Sequence, residues 1–552
     1  MAPILSKFSR FLSFKAVFWT LFYIFIFSLL LNNSLGYLDP DLGWHLKVGE
    51  DIVREGQVPH LNYYNYTLEG KTWVDHEWLL NVITFWLYNN FSNIGLNIFF
   101  ALIIIAALLV LHLSLKNGNS DHPGNVLLTV VFLILGVLAM SPHLGVRMQE
   151  IAPLSLVLLY AILSNFNNKR NYRVLFWLIP LFYFWASAHA SFLIGLFILG
   201  FWLGIKILEI ILIAYWPNSR FTALFQIDPL LTKKQIFTFL IFIGLSLAAT
   251  LVTPYGLNLY EFLWTYTDTY FMTHIAEWLP SWYLPLAYWQ LIFLSLALAS
   301  VILFFLDKNV RKKKISLWEL SLLLFFLVLS FKSKRHFPLF FISAFPLIIK
   351  NFGKIFDLNH KEDFFKYPSR LVCAFMILSL VTVPVSILMK INFASNPFGR
   401  FCGDYPCGAV AYFKSHPEYD RLNIFNEYAW GGYLIWTLPQ RKIFIDGRLP
   451  IFPVAGHSFL EEYMEFFKRD YLPGILDKYN IRLVLIRNKE KEYNFNYWEK
   501  KFFSLKEEGG GSRNELAEYL KSSSQWKIIY QDDTSIVFLK FGPGLASSSG
   551  AF

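Results

Sequence analysis

Charge is what this chain has least of. Only 16% of its 552 residues are Asp, Glu, Lys or Arg, against 55% hydrophobic and 19% aromatic. A soluble protein keeps its surface wet with about a quarter of its residues charged, so a water-soluble globular class is excluded. Cysteine is scarce as well. Cys373, Cys402 and Cys407 are too few for a disulfide-dense secreted scaffold, and no second ligand pair stands at zinc spacing. Neither a P-loop pattern nor a strand-linked GxGxxG occurs, which argues against an ATP-driven transporter. No internal repeat is detectable.

What fills the chain instead is apolar sequence, with a mean hydropathy of +0.43. It comes in runs of about twenty residues, each long enough to cross a ~30 Å hydrocarbon core as a helix. Spans are predicted near 16–36, 93–115, 124–142, 148–165, 174–190, 191–215, 236–256, 287–306, 316–331, 337–350 and 370–389. The fold class is therefore an α-helical polytopic membrane protein with about eleven transmembrane helices, interfacial helices and a C-terminal extracytoplasmic α/β domain. The net charge is +10, from 49 basic and 39 acidic residues. Its basic groups gather in short loops: Lys169-Arg170 with Arg173, Lys233-Lys234, and Arg311 to Lys314. That is a cytoplasmic signature. A nucleic-acid partner would need a basic face on a soluble domain, and none is visible.

Lys7, Arg10 and Lys15 precede the first span, so the N-terminus is expected in the cytoplasm. No small-residue cleavage site follows the apolar stretch, which disfavours a cleaved signal peptide. The first loop, residues 37–92, then faces outward, and an odd number of spans leaves the C-terminal region outside. Residues 1–389 form the membrane domain in this reading, 390–541 a soluble α/β domain, and 542–552 a disordered tail. Cys402 and Cys407 flank a short turn in the soluble part, and a disulfide there requires an oxidising compartment. Cys373 reads as a buried thiol within a span.

The first loop opens on Asp39-Pro40-Asp41, two carboxylates at the mouth of a membrane-embedded protein, where charge is costly unless used. Residues 41–56 read as an amphipathic helix that ends on Gly56, with Pro59 soon after. It is too charged to span and is expected along the membrane interface. Residues 77–91 read as a second interfacial or half-inserted helix. Between them lies a polar cluster, Asp75, His76 and Glu77, flanked by Trp73 and Trp78. The outward face also collects His45, His143, Arg147, His189, Tyr255, His274 and Glu277. Lys332, Lys334, Arg335 and His336 fall at the outer end of a span, against the positive-inside tendency. They read either as loop charges meeting lipid phosphates or as a clamp on a lipid-linked phosphate. Asp41 reads as a helix cap or as a base, and His45 and His76 as interface residues or as site residues. Asp39 and Glu77 with a histidine form a candidate divalent-cation site (Mg or Mn).

In the C-terminal region, strands are expected at Leu422–Phe425, Lys442–Ile445, Arg482–Ile486, and in a hairpin of Trp526–Tyr530 with Ser535–Lys540. Helices are expected at Trp430–Leu438 and Leu472–Tyr479, and a flexible loop at Gly509–Ser512.

The order of these parts, with the loop from Asp41 to Gly56 and Pro59 followed by Asp75-His76-Glu77, resembles the GT-C superfamily of membrane glycosyltransferases. It is most similar to the protein mannosyltransferase and aminoarabinose transferase branch. Further segments resemble a little-characterised bacterial group: Trp73–Trp78, Ser141–His143 with Arg147, Trp185–His189, Thr253–Gly256 with Glu277-Trp278, Arg335–Pro338, Asn426–Tyr433 and Phe444–Arg448. The resemblance implies an inverting enzyme of the bacterial plasma membrane. Its donor would be a polyprenyl-phosphate sugar, and its acceptor an extracytoplasmic glycan, lipid or protein. Asp41 maps to the base, with Asp39 beside it. The donor phosphate would meet Arg335, His336, Arg147 and Lys334. His45, Asp75, His76, Glu77, His143, His189 and Glu277 would surround the substrates. At the second motif the aminoarabinose branch carries Glu-Lys-Pro where this chain has His76-Glu77-Trp78, so a lysine contact to phosphate does not carry over. Asp446 and Arg448 are either acceptor contacts or an internal ion pair. The rival readings are a transporter or flippase, and a non-catalytic assembly factor for lipid-linked polysaccharide.

Overall fold

The computed structural model describes residues 14–115, 123–220, 222–228, 230–265, 269–275, 277–279, 281, 286–306, 314–355, 370–390, 397–454, 456–488 and 515–541. Lys7, Arg10, Arg311–Lys313, the 509–512 loop and the tail 542–552 lie outside them.

The long apolar runs become helices: α1 (Phe14–Leu35), α2 (Leu42–Glu55), α3 (Trp78–Ser114), α4 (Pro123–Met140), α5 (Ile151–Lys169), α6 (Leu178–Ala188), α7 (Phe192–Tyr215), α8 (Lys233–Thr250), α9 (Tyr288–Leu306), α10 (Leu317–Lys332), α11 (Phe337–Ile355) and α12 (Arg370–Lys390). Among the described residues eight helical segments are long and apolar enough to cross a membrane, fewer than the eleven expected. The other three expected spans are helical too; α12 runs for 21 residues with a shorter apolar stretch over Ala374–Met389, and the other two are short. Helix α10, for example, has 16 residues, about 24 Å of rise against a ~30 Å core. The expected break between residues 91 and 93 is present. Ser92 has φ 54° and ψ −159° and divides α3 into two helical pieces across a kink.

The two ends of the bundle differ. Lys169, Arg170, Lys233, Lys350 and Lys354 sit at one end, with exposed Trp177, Tyr215 and Trp216 beside them. The other end carries the first loop, exposed Trp264 and Tyr288, and the segment Lys334–His336. Aromatic rings at both ends of an apolar bundle are the pattern of a membrane protein's two interfaces.

Helix α2 departs from expectation. Instead of resting on a surface with one face free, it is buried along nine of its 14 residues. It lies between α3 and α13 (Gly431–Thr437). Glycines permit this on both sides. A Cβ on Gly43 would collide with the Gly432 carbonyl, and one on Gly49 with the Asn81 carbonyl. An amphipathic pattern reports one apolar face and is blind to close backbone approach, so the second contact was hidden. Gly56 ends the helix in the left-handed region at φ 71°, its N–H bonded to the Ile52 carbonyl.

The C-terminal region forms a four-stranded sheet of order β1-β2-β4-β3, with β1 (Ile424–Asn426), β2 (Leu483–Arg487), β3 (Trp526–Gln531) and β4 (Ser535–Lys540). β1 runs parallel to β2, Ile424 opposite Leu483; β2 and β4 are antiparallel, Leu485 opposite Val537. The segment at Lys442–Ile445, expected as a strand, does not join this sheet. Ile443 bridges instead to Asn65 of the first loop. The buried Asn426 side chain replaces the missing strand neighbour. Its Oδ1 accepts from the Phe444 N–H at 2.9 Å, and its Nδ2 donates to the Ile445 carbonyl at 2.9 Å. Cys402 and Cys407 are disulfide-bonded.

One hydrophobic core therefore joins the first loop to the C-terminal region. Leu42, Trp44 and Trp73 pack in the same cluster as Trp430, Phe444 and Phe459. Each such fully buried side chain contributes about 1.5–3 kcal/mol, enough together to hold the acidic loop in one place.

Candidate active site

A cavity of about 350 Å³ opens where the first loop, the starts of α5, α7 and α11, and the 446–448 turn converge. Of the residues singled out in the sequence, Asp41, Asp75, His76, Glu77, His143, His189, Glu277, Arg335 and His336 line it. Asp39, His45, Arg147 and Lys334 are not among its lining residues.

The acidic pair divides into unlike members. Asp39 Oδ1 accepts the Asp41 N–H at 2.9 Å, and Oδ2 accepts Arg147 Nε at 2.5 Å. Asp41, at the N-cap of α2, makes no side-chain capping bond, and no cation pairs with it among the described residues. Its carboxyl rests against the backbone of Gly447, where a Cβ would overlap the carboxylate oxygens. Burial and then the neighbouring Asp39 push the Asp41 carboxyl up to about 7; Asp446 and Glu277 add to this, and the Trp44 indole offsets part. That is the range of an effective general base near neutral pH.

Arg147, expected at the donor phosphate, is already committed elsewhere. Its Nε bonds Asp39, its Nη2 bonds Glu277, and its guanidinium lies 5.3 Å from the Tyr37 ring centre. Two carboxylates neutralise it, so it holds the loop rather than offering charge to the cavity. Burial alone would raise the Glu277 carboxyl, but Arg147 and Arg335 outweigh it and hold it down at about 2.

Arg335 is the contrasting case. It is half-buried, lines the cavity, and lies 5.0 Å over the Trp278 ring. Among the described residues no carboxylate forms an ion pair with it. Stacking fixes its plane and leaves its N–H fork for a planar or tetrahedral anion.

The second motif forms a proton-holding cluster. Asp75 Oδ1 accepts the Glu77 N–H and Oδ2 accepts from Asn81 Nδ2 at 2.8 Å. Asn81 Oδ1 then faces His45 Nδ1 at 2.6 Å, so that nitrogen carries the proton. On the other side, His189 Nδ1 accepts the Ser191 N–H at 3.0 Å, which puts its proton on Nε2, 3.5 Å from Glu77 Oε1. His76 Nε2 lies 3.9 Å from the same oxygen, and His45 Nε2 4.0 Å from Oε2. Burial pushes His45 down to about 3; burial and then Arg335 take His76 to about 4. Burial and then Asp75 push Glu77 well above the carboxylate range, and burial raises Asp75 to about 6. At pH 7 the three histidines are neutral and Glu77 keeps its proton, while Asp75 is mostly ionised and accepts from the Glu77 N–H and Asn81 Nδ2. Among the described residues no three His, Cys, Asp or Glu side chains are arranged to hold a metal ion. Asp39 and Glu77 thus do not fit the cation expected of them, since Asp39 is bonded to Arg147.

His143 Nε2 faces Gln290 Nε2 at 3.1 Å. Arg448 donates Nε and Nη2 to both oxygens of Asp446 at 2.8 and 2.7 Å, and its guanidinium lies 4.5 Å from the Trp73 ring centre and 4.7 Å from that of Tyr64. The internal ion pair is therefore the one formed. Sequence reasoning missed Glu150, Gln149 and Trp278 as cavity residues. Glu150 Oε1 accepts the Gly145 N–H, and its place beside the Ser141–Arg147 motif was the available signal.

No family model matches the chain, and no curated protein matches it. Among solved structures, the oligosaccharyltransferase of Archaeoglobus fulgidus in its apo form aligns at 11% identity, covering 86% of this chain and 69% of that one, with a TM-score of 0.49. The oligosaccharyltransferase AglB from Archaeoglobus fulgidus, in complex with an inhibitory peptide and a dolichol-phosphate, aligns at 11% identity over the same shares with a TM-score of 0.47. Both likenesses are too weak to carry function across, so the reading below stands on the site itself.

Proposed function

We propose that the chain is a membrane glycosyltransferase moving a sugar from a polyprenyl-phosphate carrier to an acceptor hydroxyl or amine. The carrying observation is the pairing of opposites in one cavity: a proton-accepting Asp41 that no cation pairs with and an Arg335 that no carboxylate pairs with, among the described residues. Asp41 takes the acceptor proton as the acceptor oxygen or nitrogen attacks the anomeric carbon. The bond from that carbon to the phosphate oxygen breaks, and the leaving phosphate keeps the electron pair opposite Arg335. Attack from the face opposite the leaving group inverts the anomeric centre. Enclosure by α2 and the 446–448 turn limits water, which would otherwise compete as acceptor. Basic residues at the far end of the bundle support an extracytoplasmic cavity under the positive-inside tendency.

The test uses the full chain in nanodiscs with a radiolabelled polyprenyl-phosphate sugar and an envelope extract as acceptor. Asp41→Asn should abolish transfer while lipid-donor binding persists. Undiminished turnover in the Asp39→Asn, Asp41→Asn double variant would sink the reading, and movement of intact donor between leaflets without transfer would favour a flippase.

A further inference from the structure

A second polar cavity lies at the opposite end of the bundle. The same helices reach both: α5 runs from Ala152 at the first cavity to Asn167 at the second, and α11 from Pro338 to Lys354. At 1.5 Å per residue these pairs are about 23 Å apart, so the two cavities are separate sites. The second encloses about 510 Å³. Five helices bring polar residues to its lining: Ser114 from α3, Tyr160 and Asn167 from α5, Lys206 from α7, Glu319 from α10, and Ser343 and Lys350 from α11. Apolar helices do not converge polar groups on one space without use, because each costs free energy in a hydrocarbon setting.

The bonding state of these groups selects the ligand. The three lysines on the wall are engaged. Lys206 bonds Glu209 at 3.0 Å and Asp228 at 2.6 Å, Lys350 bonds Glu319, and Lys354 donates to the Lys314 carbonyl at 2.7 Å. An anion would have to break those pairs. Among the described residues, the buried wall atoms left without partners are acceptors: Asn167 Oδ1, whose Nδ2 is committed to Asp228 and Asn168, and Glu319 Oε2. Asn167 is itself buried at 7% exposure. Neighbouring hydroxyls of Tyr160 and Ser343 bond each other at 2.8 Å, and the Trp318 ring stands edge-on to Tyr160. Acceptors, adaptable hydroxyls and an indole wall together suit a ligand with several O–H donors and an apolar C–H face.

We infer that this second cavity binds a polyhydroxylated ligand, a free sugar or the sugar headgroup of a glycolipid, independently of the Asp41 cavity. The inference goes beyond the proposed transfer reaction and does not depend on it.

The full chain in nanodiscs is photolabelled with a diazirine-bearing octyl glucoside, and the labelled peptides are mapped by mass spectrometry. Labelling is expected on peptides around Tyr160 and Trp318, competed by glucose or by a glucosyl diacylglycerol but not by inorganic phosphate. Competition by free glucose identifies a soluble sugar; competition by the glycolipid alone identifies a headgroup. Asn167→Leu and Glu319→Gln should each weaken labelling roughly tenfold, the loss of about one buried hydrogen bond, whereas Asp41→Asn should leave it intact. The milder Glu319→Gln keeps the test valid if Asn167→Leu does not fold. Labelling confined to the Asp41 cavity, or displacement by phosphate instead of sugar, overturns the inference.

Discussion

Arg147 donates its Nε to Asp39 at 2.5 Å, while the other oxygen of Asp39 holds the Asp41 amide at 2.9 Å. This bond makes the first acid of the pair a structural anchor and leaves the second available for chemistry. Arg147 also bonds Glu277, so one guanidinium ties the first loop to the segment that precedes α9. Arg147→Ala strands Asp39, whose side chain is only 10% exposed. Removing one partner of such a pair costs about 3–5 kcal/mol. The expected result is a large drop in thermal midpoint, partly recovered in Arg147→Gln combined with Asp39→Asn, which removes both charges. Thermal unfolding in detergent measures both.

Asp41 gives two pH dependences of opposite sense. As a base it must be ionised, so turnover should rise about tenfold per pH unit up to about 7 and level above it. Stability should run the other way. The folded value near 7 lies above the ordinary 3.8, so the folded state holds the proton more tightly than the unfolded chain. That contribution is complete below about 4 and is lost as pH rises through 7. Asp41→Asn should therefore unfold at a higher temperature than the parent at pH 8, match it near pH 4, and have no activity. A stability difference that does not grow with pH would show that Asp41 is not strained by ionisation.

Gly447 separates positioning from folding. A Cβ there would press on the Asp41 carboxylate, whose end can rotate away, rather than on rigid backbone. Gly447→Ala should thus cost little stability, yet a displacement of about 1 Å in a catalytic group is worth about 10²-fold in rate. Turnover is expected to fall by that order with a nearly unchanged unfolding curve. Gly432→Ala offers the comparison. Its Cβ would meet the Pro40 carbonyl, which cannot swing aside, so both stability and turnover should fall.

These residues also mark what could be read from the chain. Hydropathy and loop charge placed the helices, because burial in lipid leaves a run of apolar residues that no tertiary contact has to explain. The residues that line the cavity were legible where chemistry is costly: Asp41, Glu77, His189 and Arg335 are polar groups beside apolar runs. What stayed hidden depends on long-range partners. Arg147 reads as a free cation until Asp39, 108 residues away, is seen on it. Lys442–Ile445 has the composition of a sheet strand, but Asn426 and the first loop take its hydrogen bonds. Gly43 and Gly49 look like helix weaknesses and are contact points on two opposite sides.

Arg335 supplies the last prediction, because it lines the cavity and, among the described residues, no carboxylate forms an ion pair with it. If it receives the leaving phosphate, its interaction strengthens as the bond to the sugar breaks and charge builds on the phosphate oxygens. Arg335→Ala should then lower kcat by about 10²–10³-fold, the usual cost of one charge-stabilising donor, as well as raising KM for the donor. Arg335→Lys keeps the charge but loses the stacked fork over Trp278, and should recover only part of the rate. Trp278→Leu removes the stacking alone, worth about 1 kcal/mol at a half-buried site, so a roughly fivefold loss is expected. Lys334, one residue away but outside the cavity lining, is the internal control: Lys334→Ala should change turnover by less than about twofold, the scale of an ordinary surface substitution. Equal losses at residues 334 and 335 would mean that the two act together as surface charge for lipid, and that Arg335 has no separate part in the reaction.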